Sequence, residues 1–254
     1  MTTREATQLL PRISDTVIGS DGRTLGDRAA VLAFGAIQWP WLLRSLHGGR
    51  LADKHRLLDR LDLPYDALPY LGSWKADTGL LTLLVDHILA ERPKLVVEFG
   101  AGASTFILAR ALQKAGGGRL ISFDQHQDFI DATGEWLAEF GLRADLHAVA
   151  LRPSPDGWPG LWYDHGPLPD GIDLMLVDGP PWSIHPFTHG AASSLFGRWF
   201  GGQNKGLVSV GEYDRDRAHV YALQSTMVEK KCIVVDVDAE LAEVAAEMTK
   251  IRSN

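Results

Sequence analysis

Apolar residues along this chain recur in two rhythms that take turns. Leu80, Leu81, Leu84, Ile88 and Leu89 repeat at helical spacing behind 73–78, and Pro93 closes that segment. A β-branched run at Leu95, Val96 and Val97 follows and reads as a strand. Phe106, Ile107, Ala109 and Leu112 return to the helical period, then 119–124 is a second short apolar run ending in an acid. The alternation continues. A helix around Phe129, Ile130, Trp136, Leu137 and Phe140 precedes a third strand at 146–151, and further strands are predicted at 172–178, 206–211 and 232–237. Helices are predicted at 187–200 and 215–228, whereas 239–251 suits a helix or one face of a strand. Strands alternating with helices predict an α/β fold, a doubly wound and mostly parallel sheet.

Upstream, Ala29, Leu32, Ala33 and Ala36, then Leu51, Leu57, Leu58 and Leu61, have helical spacing, and Asp53 reads as a helix start with Lys54, His55 and Arg56 on a solvated face. Pro64 and Pro69 mark a break. The expected organisation is an N-terminal helical extension over 1–63, serving as a lid or an oligomer contact, and a main domain over 64–254. The segment 31–43 carries Trp39 and Trp41 but is too short to span a bilayer and contains Gln38 and Pro40. A loop over 152–171, rich in proline, glycine and aromatics, is expected to pack over a ligand or to wall a substrate site.

Composition narrows the function. At 254 residues, with a net charge of -7, the chain lacks the basic footprint of general nucleic-acid binders, so a small molecule is the expected partner. One cysteine, Cys232, permits no internal disulfide and fits a reducing compartment. The first residues lack a signal-peptide apolar core, which makes a cytoplasmic location the expectation.

The chemistry centres on 95–110, LVVEFGAGASTFILAR, which reads strand, glycine turn, helix. Gly100 and Gly102 let backbone approach a ligand, and the helix start at Ser104 and Thr105 offers N–H groups. Thr105 stands where the dinucleotide fingerprint has its third glycine. Glu98, beside the turn, would repel a pyrophosphate but could accept hydrogen bonds from an ammonium group, such as that of S-adenosylmethionine. Asp124, about 20 residues beyond the glycines, stands where this architecture places an acid for ribose hydroxyls. Asp178 falls at the carboxyl end of the fourth strand of the alternation.

These pieces resemble the class I, Rossmann-like S-adenosylmethionine-dependent methyltransferases. EFGAGAST, WYD at 162–164, LMLVDGPPW and GEYDR are similar to a bacterial group related to small-molecule O-methyltransferases, over roughly 68–237. The resemblance implies that Glu98, Gly100 and Gly102 line the methionine part of the cofactor, with Ser104 and Thr105 beside it. It also implies that Asp124 holds the ribose and that Asp178 lies near the sulfonium. Methyl transfer needs alignment and removal of a proton, for which Asp178, His185 and Glu212 are the candidates. Oxygen ligands from Asp178, Glu212 and Asp214 could alternatively hold Mg²⁺, but Gly211-Glu212 stands where many relatives have two adjacent acids, which argues against a metal. Pro186 argues against His185 and His189 as a metal-binding pair on one helix. Arg215 and Arg217 could bind an acidic substrate or form a solvated charge pattern.

The expected activity is O-methylation of a small metabolite or sugar-containing acceptor, with a homodimer forming through the N-terminal helices. Its rivals are a nicotinamide-dependent oxidoreductase and a catalytically silent module that binds cofactor or a partner protein.

Overall fold

The computed structural model describes residues 25–26, 28–33, 36, 48–72, 76–154, 160–180, 207–211 and 232–236. The described residues between 25 and 36 are helical. Four longer helices follow, α1 (Leu51–Arg60), α2 (Thr78–Glu91), α3 (Ala103–Lys114) and α4 (Gln127–Glu139). Six strands form the main sheet, β1 (Leu95–Phe99), β2 (Arg119–Asp124), β3 (Asp145–Ala148), β6 (Leu174–Val177), β7 (Leu207–Gly211) and β8 (Cys232–Asp236). The remaining two, β4 (Leu151–Pro153) and β5 (Leu161–Tyr163), make a separate antiparallel pair.

The order of the main sheet is β3-β2-β1-β6-β7-β8, parallel except for β8 at the edge. The chain therefore walks from β1 to one side through β2 and β3, then crosses to the other side for β6 and β7. The crevice outside the carboxyl ends of β1 and β6 is the topological switch point, where open α/β sheets bind their ligands.

Alternation along β1 sorts its side chains to two cores. Val96 joins the core formed with α1, α2, α3 and α4, whereas Val97 and Phe99 join one formed with the β4–β5 hairpin. The first core is closed by Phe106 of α3 stacked on Trp136 of α4 at 4.3 Å, a contact worth about 0.5–1.5 kcal/mol beyond its burial. Asp77 caps α2 by accepting from the Leu80 N–H at 2.8 Å, and Arg92 ends that helix in the left-handed conformation, just ahead of Pro93. Among the described residues no helix is long and apolar enough to cross a membrane.

Helix α1 begins at Leu51 behind Arg50, with Asp53 in its first turn as expected of a helix start. Two local expectations are corrected. Lys54 is half-buried and donates to the carbonyls of Leu68 and Pro69, where a solvated face was expected. The third strand stops at Ala148, because Leu151 pairs with Tyr163 instead, and the expected loop over 152–171 thus contains half of a hairpin core. Each strand of that hairpin is three residues long, too short for a period-2 pattern to register.

At the amino end of the sheet, one Asp173 oxygen accepts from the N–H groups of both Lys94 and Leu95, at 2.7 and 3.0 Å. On the outside of α3, Arg110 donates to the Leu61 carbonyl at 2.7 Å, and Lys114 pairs with Asp62. Leu57, Leu58 and Leu61 are fully buried in the same core as α2 and α3.

Candidate active site at the carboxyl edge of β1 and β6

The ladder between β1 and its neighbours continues past the strand ends. Gly100 N–H donates to the Phe123 carbonyl and Asp178 N–H to the Phe99 carbonyl, each at 2.8 Å. This brings the glycine turn and Asp178 side by side. Gly100 has φ +105, and a Cβ there would stand 2.9 Å from the Gly179 nitrogen and 3.0 Å from the Asp178 carbonyl carbon. Only glycine suits both the dihedral and the space. At Gly102 a Cβ would meet nothing within 4 Å, so this side of the turn faces open space.

Glu98 points to the α3 side of the sheet and is fully buried. One of its oxygens, Oε2, accepts from Thr105 Oγ1 at 2.5 Å and from Ser122 Oγ at 2.6 Å, while Oε1 is buried without a well-formed hydrogen bond, the Ser104 hydroxyl lying near enough only to bear on the carboxyl's charge. Thr105 serves two groups at once, since its hydroxyl also accepts from the Gly102 N–H at 2.8 Å. It stands at the third residue of α3 and reaches back to the cap, the return half of a capping box. A glycine at that position, as dinucleotide sites have, could make neither bond. Burial pushes the Glu98 carboxyl up to about 7, with the hydroxyls of Ser104, Ser122 and Thr105 holding it back.

Asp124, at the end of β2, is 4% exposed. Its Oδ2 accepts from the Ala101 N–H at 3.1 Å and its Oδ1 from the His126 N–H at 2.7 Å. It therefore ties the glycine turn to the end of β2. Burial also raises this carboxyl to about 7, opposed by the N–H groups of His126 and Ala101 and reinforced by the charge of Glu98. Among the described residues no cationic side chain bears on either acid.

The opposite wall comes from the hairpin. Phe99 lies against Phe123, Trp162, Tyr163 and His165, with ring centroids 5.1–5.5 Å apart. Tyr163 is buried, and its hydroxyl lies 2.3 Å from the place of a Gly179 Cβ. Burial, and then the charges of Asp124, Asp178 and Glu98, push its phenol well above the usual value.

Of the residues expected at the site, the structure thus brings together Glu98, Gly100, Gly102, Ser104, Thr105, Asp124 and Asp178. Asp178 is half-buried at the edge beside the Gly179-Pro180 turn. His185, His189, Glu212, Asp214, Arg215 and Arg217 lie outside the described residues. Among the described residues no group of three or more His, Cys, Asp or Glu is placed to hold a metal. Two residues of the site were not anticipated. Ser122 was signalled only as a polar residue inside an apolar strand, directly across from Glu98. Tyr163 was signalled only as part of the WYD motif and the aromatic loop, because the place of its hydroxyl depends on the hairpin.

Residues 97–193 match the model of a family described as a methyltransferase domain. No curated protein matches the sequence. Among solved structures the chain is similar to an O-methyltransferase from Streptomyces achromogenes involved in tomaymycin synthesis and bound to S-adenosylmethionine. That likeness has 17% identity and a TM-score of 0.41, covering 89% of this chain and 86% of that one. A Podospora anserina methyltransferase bound to S-adenosylhomocysteine shares 12% identity over 78% of this chain and 79% of its own, at a TM-score of 0.43. An O-methyltransferase from Bacillus cereus, also with S-adenosylhomocysteine, shares 11% over 79% and 83%, at 0.39. The match to a methyltransferase domain covers the glycine turn, β2 and the end of β6, where the candidate site lies.

Proposed function

We propose that this chain is a cytoplasmic enzyme that methylates an oxygen of a small metabolite or sugar-containing acceptor. The observation that carries the cofactor half of this reading is the charge of the glycine turn. Two buried carboxyls and the half-buried Asp178 surround it, and among the described residues no cation bears on Glu98 or Asp124. A pyrophosphate would meet repulsion there, whereas a ligand with an ammonium and a sulfonium brings the missing positive charge. The unpartnered Glu98 Oε1 suits the ammonium, and the open side of Gly102 leaves room for backbone to approach the ligand. This opposes the nicotinamide reading.

Bound there, S-adenosylmethionine supplies an electrophilic methyl group. The chain's part is to align an acceptor oxygen in line with it, to keep water away and to take the proton that the oxygen loses. Asp178 at the edge of β6 is assigned to the reacting end, with His185 and Glu212 as further candidates for the proton. Ser104 and Thr105, at the helix start, are assigned beside the cofactor's methionine part, and Asp124 is assigned to the ribose. Of the segment 1–63, assigned as a lid or dimer contact, residues 57, 58 and 61 are core residues, so that face of α1 is not free for those roles.

Calorimetric titration with S-adenosylhomocysteine, beside NADH, tests the cofactor. Binding of the former alone supports the reading, and binding of NADH alone overturns it. Transfer of an isotopically labelled methyl group to hydroxylated small molecules then tests the acceptor class. Asp124→Ala is expected to weaken S-adenosylhomocysteine by a few kcal/mol at most, about one or two charge-assisted hydrogen bonds. It should also lower stability by roughly 1–3 kcal/mol, since the Ala101 and His126 N–H groups lose their acceptor. Denaturation and titration of the same variant separate the two effects, and unchanged affinity in a folded variant would refute the ribose assignment.

A further inference from the structure

We propose that Tyr163 is a cofactor-binding residue whose phenol donates a hydrogen bond to the α-carboxylate of the cofactor's methionine part. The proposal rests on the S-adenosylmethionine reading above. Three observations lead to it.

The first is position. The hydroxyl lies 2.3 Å from the place of a Gly179 Cβ, which itself would stand 3.1 Å from the Gly100 Cα. Phenol, glycine turn and the end of β6 thus meet at the seam between β1 and β6, at the switch point of the sheet. The second is that the hydroxyl is buried and has no hydrogen-bond partner, an unfavourable arrangement unless something arrives to use it. The packing of the ring against Phe99 and Trp162 does not use the oxygen. The third is the sense of the hydrogen bond. Asp124, Asp178 and Glu98 oppose the loss of the phenolic proton, so Tyr163 acts as a donor and not as a base.

The chemistry of the ligand selects its partner. The ammonium and the ribose hydroxyls can each donate to the acids of the site. The α-carboxylate is the one group that those acids repel, and it needs donors. An unspent phenolic proton beside the glycine turn supplies one. Any side chain at position 179 would push the hydroxyl away, which accounts for glycine there.

The test compares wild type and Tyr163→Phe by calorimetry with two ligands, S-adenosylhomocysteine and 5′-methylthioadenosine, which lacks the amino-acid part. Tyr163→Phe should weaken S-adenosylhomocysteine roughly ten-fold to a hundred-fold, leave 5′-methylthioadenosine unchanged and raise the melting temperature of the ligand-free protein, since the variant buries no unpaired hydroxyl. Gly179→Ala, which crowds the hydroxyl and keeps the phenol, should give the same ligand-selective loss and stands in should the first variant not fold. Equal affinity of S-adenosylhomocysteine for wild type and variant overturns the proposal, and so does a parallel loss for both ligands, which would mark Tyr163 as packing. Failure of the wild type to bind S-adenosylhomocysteine overturns the underlying reading instead, and the proposal with it.

Discussion

Gly100→Ala should destabilise the fold by about 2–5 kcal/mol, a large share of the roughly 5–15 kcal/mol that holds a domain together. Two costs add. A side chain at φ +105 pays roughly 1–2 kcal/mol of steric strain. The new Cβ also meets backbone, with the Gly179 nitrogen at 2.9 Å and the Asp178 carbonyl carbon at 3.0 Å, and backbone cannot rotate away as a flexible side chain can. Overpacking of that kind adds about 1–3 kcal/mol. Gly116→Ala is the control, because Gly116 has φ +100 with nothing within 4 Å of its Cβ position. It should show the strain cost alone. Urea denaturation of both variants reads the difference. Equal losses would mean that the close approach of the turn to β6 contributes nothing, and the alignment of Gly100 with Asp178 would need another cause.

Glu98→Gln is expected to separate stability from cofactor binding. Burial pushes this carboxyl up to about 7 in the fold, against roughly 4.3 when unfolded. Between those values the folded state holds the proton more tightly than the unfolded chain does. The contribution is therefore full below about pH 4 and is lost as pH rises through about 7, by on the order of 3 kcal/mol for a shift of this size. Asp124, raised to about the same value, loses stability in the same window. The glutamine variant cannot ionise, so at pH 8 it should be more stable than wild type, and its stability should fall less between pH 5 and 8. Binding should move the other way. Loss of a charge-assisted bond to the cofactor's ammonium costs about 1.5–3 kcal/mol, roughly ten-fold to a hundred-fold in affinity. Wild-type affinity should also strengthen as pH rises through about 7, because the ammonium is held by the ionised form. Melting curves at several pH values check the first half and titration with S-adenosylhomocysteine the second. A variant that binds as tightly as wild type at pH 8 would remove Glu98 from the ammonium site.

How far the sequence could be read is best judged from single residues. The strands β1, β2 and β6 are legible, since 95–97, 119–124 and 172–178 are apolar runs punctuated by glycine, proline or acid, and buried strands leave that trace. The partnership of Glu98 with a helix-start hydroxyl was half legible. Thr105 was noticed for what it excludes, and its bonds to Glu98 and Gly102 need the turn of α3 to be seen. Ser122 depends on parallel register, and register is a long-range property that local periodicity does not encode. The hairpin was hidden for a related reason. Its three-residue strands are held by pairing with each other and by the rings of Phe99 and Phe123, contacts between segments far apart in sequence. Tyr163 therefore looked like one aromatic among several in a loop.

The clamp at the opposite end of the sheet bears on how such a site can change over time. Asp173 binds the amino ends of β1 and β6 together through a single carboxylate, well away from the glycine turn. The two strands are thus fastened at one end like pages at a spine, and the other end carries the glycine turn, Asp178 and the hairpin. On the proposed reading, exchanges at Asp178 or Tyr163 would change contacts to the ligands without touching the Asp173 clamp that aligns the strands. Loss of Asp173 would loosen both at once. The architecture keeps the part that must not vary physically distant from the part that can.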